Sequence, residues 1–132
     1  MAGLSHIDLT VRDADASAKW YQDVLGLEEV FRADMGERLA ITVAQRSTHL
    51  VLGLLQHKNA KSGLFDETRT GLDHLAFMVA DREALEAWVE HLTSKGIECS
   101  EIKDVSIGAT FQFRDPDNIQ LEFWANKQQQ PA

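Results

Sequence analysis

Polar and apolar positions alternate in two matching stretches of this chain. His6, Asp8 and Thr10 alternate with Ile7, Leu9 and Val11, the period of a strand with one apolar face. Residues 74–79 do the same, with His74, Ala76 and Met78 opposing Leu75, Phe77 and Val79. A helical pattern follows each stretch. Leu85, Trp88, Val89 and Leu92 form one apolar stripe in the second helix, and Ala16, Trp20 and Val24 a looser one in the first. Trp20 and Trp88 read as core anchors beneath the sheet, and His91 as solvent-facing. Asp13 and Asp81 are placed to cap the helix starts. Gly26 and Gly96 stand where a left-handed residue ends a helix. Three further strands are expected in each half, at 29–32, 39–44 and 48–55, and at 98–102, 109–114 and 119–124. The turn Asp115-Pro116-Asp117-Asn118 divides the last two.

The two halves are a repeat. Gly3-Leu4-Ser5-His6-Ile7 matches Gly71-Leu72-Asp73-His74-Leu75 at an offset of 68, which also carries Val11 onto Val79, Asp13 onto Asp81 and Trp20 onto Trp88. Gly26-Leu27 matches Gly96-Ile97 at an offset of 70, and Leu52-Gly53-Leu54 matches Leu121-Glu122-Phe123 at 69. The reading is an α+β chain of two tandem βαβββ units in one domain over 1–132. Repeat 1 covers about 3–56, a polar linker or flap about 57–70, and repeat 2 about 71–126, with a frayed tail beyond.

Composition narrows the partners. The net charge of −8 argues against nucleic acid and anionic membrane surfaces. No apolar run approaches the roughly 18 residues of a membrane span, and the N-terminus lacks the pattern of a signal peptide. The expected location is the cytoplasm. The single cysteine, Cys99, excludes an internal disulfide and reads as a structural strand residue.

The alternation also assigns faces. The helix-covered face is the apolar one, so His6 and His74 point to the open face. On the last strand Glu122 shares a face with Asn118, Gln120 and Trp124. A carboxylate inside Leu121-Glu122-Phe123-Trp124 is costly unless it is paired or coordinated. Two imidazoles and one carboxylate suit a divalent transition metal (Fe, Mn, Ni, Co or Zn) with positions left open for substrate. Gly53, the repeat partner of Glu122, shares a face with His49, Val51, Leu55 and His57.

These residues carry a resemblance to a known family. Leu4-Ser5-His6-Ile7, Trp20-Tyr21 with Val24-Leu25-Gly26-Leu27, Gly71-Leu72-Asp73-His74-Leu75-Ala76-Phe77, and Arg114-Asp115-Pro116-Asp117-Asn118 leading to Leu121-Glu122 resemble the vicinal oxygen chelate superfamily. That superfamily includes glyoxalase, bleomycin-resistance and dioxygenase relatives. The resemblance implies a cupped mixed β-sheet with helices on its outer face. It implies metal ligation by His6, His74 and Glu122, and a homodimer. It also implies a small-molecule substrate chelated through adjacent oxygens.

Glyoxalase I-like members place a fourth ligand where this chain has Gly53, which has no side chain to ligate or to take a proton. The expectation is therefore a metal-dependent enzyme, dioxygenase-like more than glyoxalase I-like. His57 is the first candidate base and His49 the second. Gly53 would make room for substrate, Val51, Leu55, Met78 and Trp124 would form apolar walls, and Gln120, Asn118 and Thr10 would supply hydrogen bonds. Arg114 reads as a solvated arginine. Two alternatives share this scaffold: a metal-free antibiotic-binding resistance protein, and a fosfomycin-type thiol transferase or hydrolase.

Overall fold

A computed structural model describes residues 1–127; the last part of the polar tail, 128–132, lies outside them. The chain divides into two compact units, Met1–Gly63 and Leu64–Ala132. Each contains strand, helix and three strands in that order.

In the first unit β1 (Ile7–Thr10) is followed by α1 (Ala14–Leu25), β2 (Glu28–Asp34), β3 (Arg38–Gln45) and, after a 3-10 turn at Arg46–Thr48, β4 (Leu50–His57). The sheet order is β1-β4-β3-β2, with β1 and β4 parallel and the other pairs antiparallel. The second unit repeats this with β5 (Leu75–Val79), α2 (Arg82–Ser94), β6 (Lys103–Val105), β7 (Gly108–Arg114) and β8 (Gln120–Asn126). Its order is β5-β8-β7-β6, with β5 and β8 parallel. Two mixed four-stranded sheets, each with one helix, make this an α+β fold of tandem βαβββ units.

The helix boundaries follow from local chemistry. The Asp13 carboxylate accepts from the Ala16 amide at 3.0 Å, and Asp81 from Ala84 at 2.9 Å, satisfying amides that have no partner inside the helix. Gly26 ends α1 at φ 71°, where a side chain would be strained, and its N–H returns to the Gln22 carbonyl at 3.1 Å.

The buried face of α1 differs from the expected stripe. It comprises Ala14, Ser17, Ala18, Tyr21, Val24 and Leu25, and Ala16 is exposed. Tyr21 is fully buried, while Trp20 is half-buried with its ring edge-on to Tyr21 at 5.0 Å. Rotation by one residue, about 100° around the helix, exchanges their roles. In α2 Leu85 and Leu92 are fully buried. Half-buried Trp88 stacks on Phe123 of β8 at 4.4 Å, anchoring that helix to the sheet. His91, expected in solvent, is half-buried edge-on to Trp88 at 5.4 Å.

The strand expected at 98–102 is displaced to β6. At Ser100 the backbone N–H donates to the Gln112 carbonyl, but the Gln112 N–H is taken by the Ser100 hydroxyl at 2.9 Å. A side chain replaces the backbone carbonyl there, so no ladder propagates. The expected linker is also divided. Residues from Leu64 onward belong to the second unit, where the Phe65 N–H donates to the Asp117 carbonyl at 2.9 Å and the Asn118 amide donates to the Phe65 carbonyl at 3.1 Å. Among the described residues no helix is long and apolar enough to cross a membrane.

Tyr21→Ala is expected to cost about 3–5 kcal/mol, the range for emptying a buried aromatic site. Trp20→Ala should cost clearly less. Urea unfolding of the two variants checks the assignment, and equal losses would contradict it.

Candidate metal centre

The second unit brings two of the expected ligands together. The parallel register pairs Leu75 with Leu121, Ala76 with Glu122 and Met78 with Trp124. His74, just before β5, therefore approaches Glu122 diagonally across the small side chain of Ala76. His74 Nε2 lies 2.8 Å from Glu122 Oε2. Glu122 is only 6% exposed, so its charge needs partners. The Thr110 hydroxyl donates a short hydrogen bond to its other oxygen.

The opposite edge of the His74 ring is also held by a carboxylate, with Nδ1 2.7 Å from Asp73 Oδ1. A neutral imidazole has one N–H, so it can donate to only one of these two carboxylates. With that hydrogen on Nδ1 toward Asp73, the Nε2 lone pair and Glu122 Oε2 face each other, which a shared cation reconciles. Carboxylate-oriented histidine is the usual arrangement behind a metal-binding imidazole. The 2.8 Å gap also matches the roughly 3 Å separating adjacent ligands of an octahedral ion with bonds of about 2.1 Å. The donor pair fits a divalent metal.

Asp73 is itself tethered. The Gln120 amide donates to Asp73 Oδ1 at 3.2 Å, and the Gln120 carbonyl accepts from Arg114 at 3.3 Å. Arg114 grips Glu67 with two hydrogen bonds of 2.8 and 3.0 Å. This corrects the reading of Arg114 as solvated. The arginine fork holds Glu67 down to a pKa of about 2. Gln120 is thus occupied by Asp73. Asn118 sits in the turn at φ 65° with its amide on the Phe65 carbonyl, a role set by the turn. Met78, 73% exposed, and half-buried Trp124 stand opposite each other on β5 and β8.

In the first unit His6 precedes β1 on its exposed face, with Nδ1 2.9 Å from the Ser5 hydroxyl. Its Nε2 lies 3.9 Å from Asp8 Oδ2. Asp8 pairs in register with Gly53. A Cβ on Gly53 would fall 2.0 Å from Asp8 Oδ1, so the Asp8 carboxylate covers the glycine. Val51 and Leu55, half-buried, flank it on the same strand face.

The two candidate bases part company here. Ile7 pairs with Leu52, and His57 lies five residues farther along β4, roughly 17 Å at strand rise. His57 is therefore at the far end of the strand pair from His6. His49 falls outside β4, which starts at Leu50. It is an exposed residue at φ 57° closing the 3-10 turn, so strand alternation does not set its direction. Within each unit the described residues assemble no group of three or more His, Cys, Asp or Glu side chains able to hold a metal. Half-buried Cys99 lies in the irregular segment before β6 and not in a strand as expected, and burial pushes its thiol pKa up.

Sequence reasoning missed the parts played by Asp73, Thr110 and Glu67. Asp73 had a signal, since an acid directly before a histidine can reach its Nδ1. Thr110 had a weaker one, a hydroxyl within an apolar strand. Glu67 had none, because its partner is 47 residues away.

A model of the glyoxalase/bleomycin resistance protein/dioxygenase superfamily matches residues 3–123. The chain belongs to this superfamily. The crystal structure of a glyoxylase/bleomycin resistance protein/dioxygenase domain from Frankia sp. EAN1pec is 34% identical, with TM-score 0.89, covering 98% of this chain and 96% of that one. The manganese-dependent 2,3-dihydroxybiphenyl 1,2-dioxygenase of Geobacillus genomosp. 3 is 26% identical over 94% of this chain, which spans only 36% of that relative's length. The fosfomycin resistance protein FosX from Listeria monocytogenes shares the fold alone, at 21% identity and TM-score 0.70 over 96% of this chain and 94% of that one.

The Glu67–Arg114 pair has a pH signature. The folded-state pKa of Glu67 is lowered from 4.5 to about 2, so its stabilising contribution is complete above that ordinary value and lost as pH falls from 4.5 toward 2. Acid unfolding of wild type should therefore steepen in that window, and Glu67→Gln should remove that part of the slope. A Glu67 carboxyl titrating near 4.5 by NMR would contradict the pairing.

Proposed function

We propose that this chain is a divalent-metal-dependent enzyme in which His6, His74 and Glu122 hold one ion, and that it takes a small substrate through two adjacent oxygens. The observation that carries the proposal is the His74–Glu122 pair, 2.8 Å apart and backed by Asp73. A buried carboxylate facing an imidazole already oriented at its other nitrogen is an arrangement that a structural role alone does not require.

When bound, the ion would supply Lewis acidity to the chelated oxygens. The chain's own residues do the rest. Asp73 fixes the ring plane and tautomer of His74. Thr110 holds Glu122 in a direction the strand alone would not dictate. Val51, Leu55, Met78 and Trp124 offer apolar contacts, and Gln120 keeps Asp73 in place. Of the two candidate bases, His49 is retained over His57, because the parallel register puts the start of β4 beside the start of β1.

A dioxygenase-like reaction is favoured over glyoxalase I chemistry. Gly53 provides neither ligand nor base, and the Geobacillus relative carries the word dioxygenase in its name. Its manganese dependence makes Mn(II) the first ion to try. A homodimer is the working assembly in this reading, on the strength of the family.

The test is metal binding by protein purified without added metal, followed by Mn(II) titration beside a Glu122→Gln variant. Wild type should bind about one ion per chain, and the variant should lose affinity about tenfold or more. The reading fails if wild type neither carries metal nor gains thermal stability with Mn(II), Fe(II), Ni(II) or Zn(II).

A further inference from the structure

The histidine of the second unit is oriented by a group that needs orienting itself. The Asp73 side chain is 67% exposed, and an ion pair that open holds little by itself, because both side chains must give up freedom to stay in it. The Gln120 amide supplies a tether. It donates to Asp73 Oδ1 at 3.2 Å, the same oxygen that lies 2.7 Å from His74 Nδ1, and to the Asp73 backbone carbonyl at 3.4 Å. Arg114 decides which way round that amide lies. A guanidinium only donates, so the Gln120 carbonyl faces Arg114 and its NH2 faces Asp73. The reverse would set donor against donor and acceptor against acceptor.

Arg114 is held in turn by Glu67. The segment that carries Glu67, residues 64–70, forms neither helix nor strand. Within it Phe65 and Glu67 are half-buried and the other residues are exposed. It is tied to the sheet by the Phe65 N–H on the Asp117 carbonyl, the Asn118 amide on the Phe65 carbonyl and the two Arg114–Glu67 bonds. A segment with so little buried apolar surface opens more readily than the sheet beneath it. Opening takes Glu67 away from Arg114. The other acid that acts on this guanidinium is Asp73: Glu67 does most to raise the Arg114 pKa, and Asp73 adds to it. An arginine drawn to Asp73 would give up its bond to Gln120 and compete with His74 for the carboxylate.

We propose that Arg114 is a positioning residue for the metal-binding face of His74, and that Glu67 holds it in place only while residues 64–70 are docked, so that docking of this segment and affinity for the ion are coupled. This rests on the metal-site reading above and adds a means of regulation to it. Such coupling is reciprocal: a docked segment raises ion affinity, and a bound ion slows the opening of the segment.

Zn(II), a diamagnetic ion, serves both for calorimetry and for amide exchange followed by NMR. Glu67→Gln should weaken Zn(II) binding about two- to thirtyfold, the range for residues that act on a site through a network. Arg114→Lys should act in the same direction, since an ammonium lacks the planar fork that serves Glu67 and Gln120 together. In an Asp73→Asn background, whose own affinity is lower, Glu67→Gln should have no further effect. Zn(II) should slow exchange of the Phe65 amide in wild type and not in Asp73→Asn. A Glu67→Gln protein that binds Zn(II) as wild type does overturns the coupling. So does one that loses the same factor with and without Asp73, which is what a merely structural role predicts. Either result leaves the metal site standing. A wild type that binds no Zn(II) removes the metal reading itself, and this inference with it.

Discussion

Everything in each unit depends on the parallel pairing of its first and last strands. Strands that follow one another in sequence pair antiparallel through short turns, but a first and fourth strand can pair parallel only if a helix carries the chain across. That pairing aligns residues far apart in the chain, 45 residues in the case of Asp8 and Gly53 and 46 in the case of Ala76 and Glu122. It also directs their side chains to one face. A slip of one residue would turn Glu122 into the apolar core and bring Leu121 or Phe123 to the histidine.

The buried polar groups follow from that constraint. Glu122 lies in a strand whose neighbours Leu121 and Phe123 are buried, with Phe123 packed among Phe111, Phe113 and Trp88. The aromatic side of the sheet fixes β8, and the fixed strand then presents Glu122 to Thr110 and His74 without freedom to move away. Outside this layer, Gln120, Arg114 and Glu67 tie Asp73 to a segment that reads as polar linker in sequence. Residues 64–70 thus belong mechanically to the second unit.

The fold was legible because duplication supplied two readings of one pattern. The caps at Asp13 and Asp81, the ends at Gly26 and Gly96, and the faces of β1 and β5 were written locally. What escaped the sequence depends on partners at a distance. Tyr21 and Trp20 are adjacent, and the looseness of the first helical stripe left their order ambiguous until packing chose Tyr21. The strand expected at 98–102 has strand-like composition, but the Ser100 hydroxyl intercepts its pairing. At the site, the His74–Glu122 approach was visible as a shared face. For His57, parity gives the face of the strand but not the distance along it, which the register supplies.

The crowding of Gly53 by Asp8 limits how this strand pair can vary. A carboxylate can reach the same point from either strand, because the parallel register sets positions 8 and 53 side by side. The two positions cannot both carry long side chains unless one moves aside, since a Cβ at 53 would fall 2.0 Å from Asp8 Oδ1. Substitutions at the two positions are therefore coupled, and a change at one acts through the residue at the other.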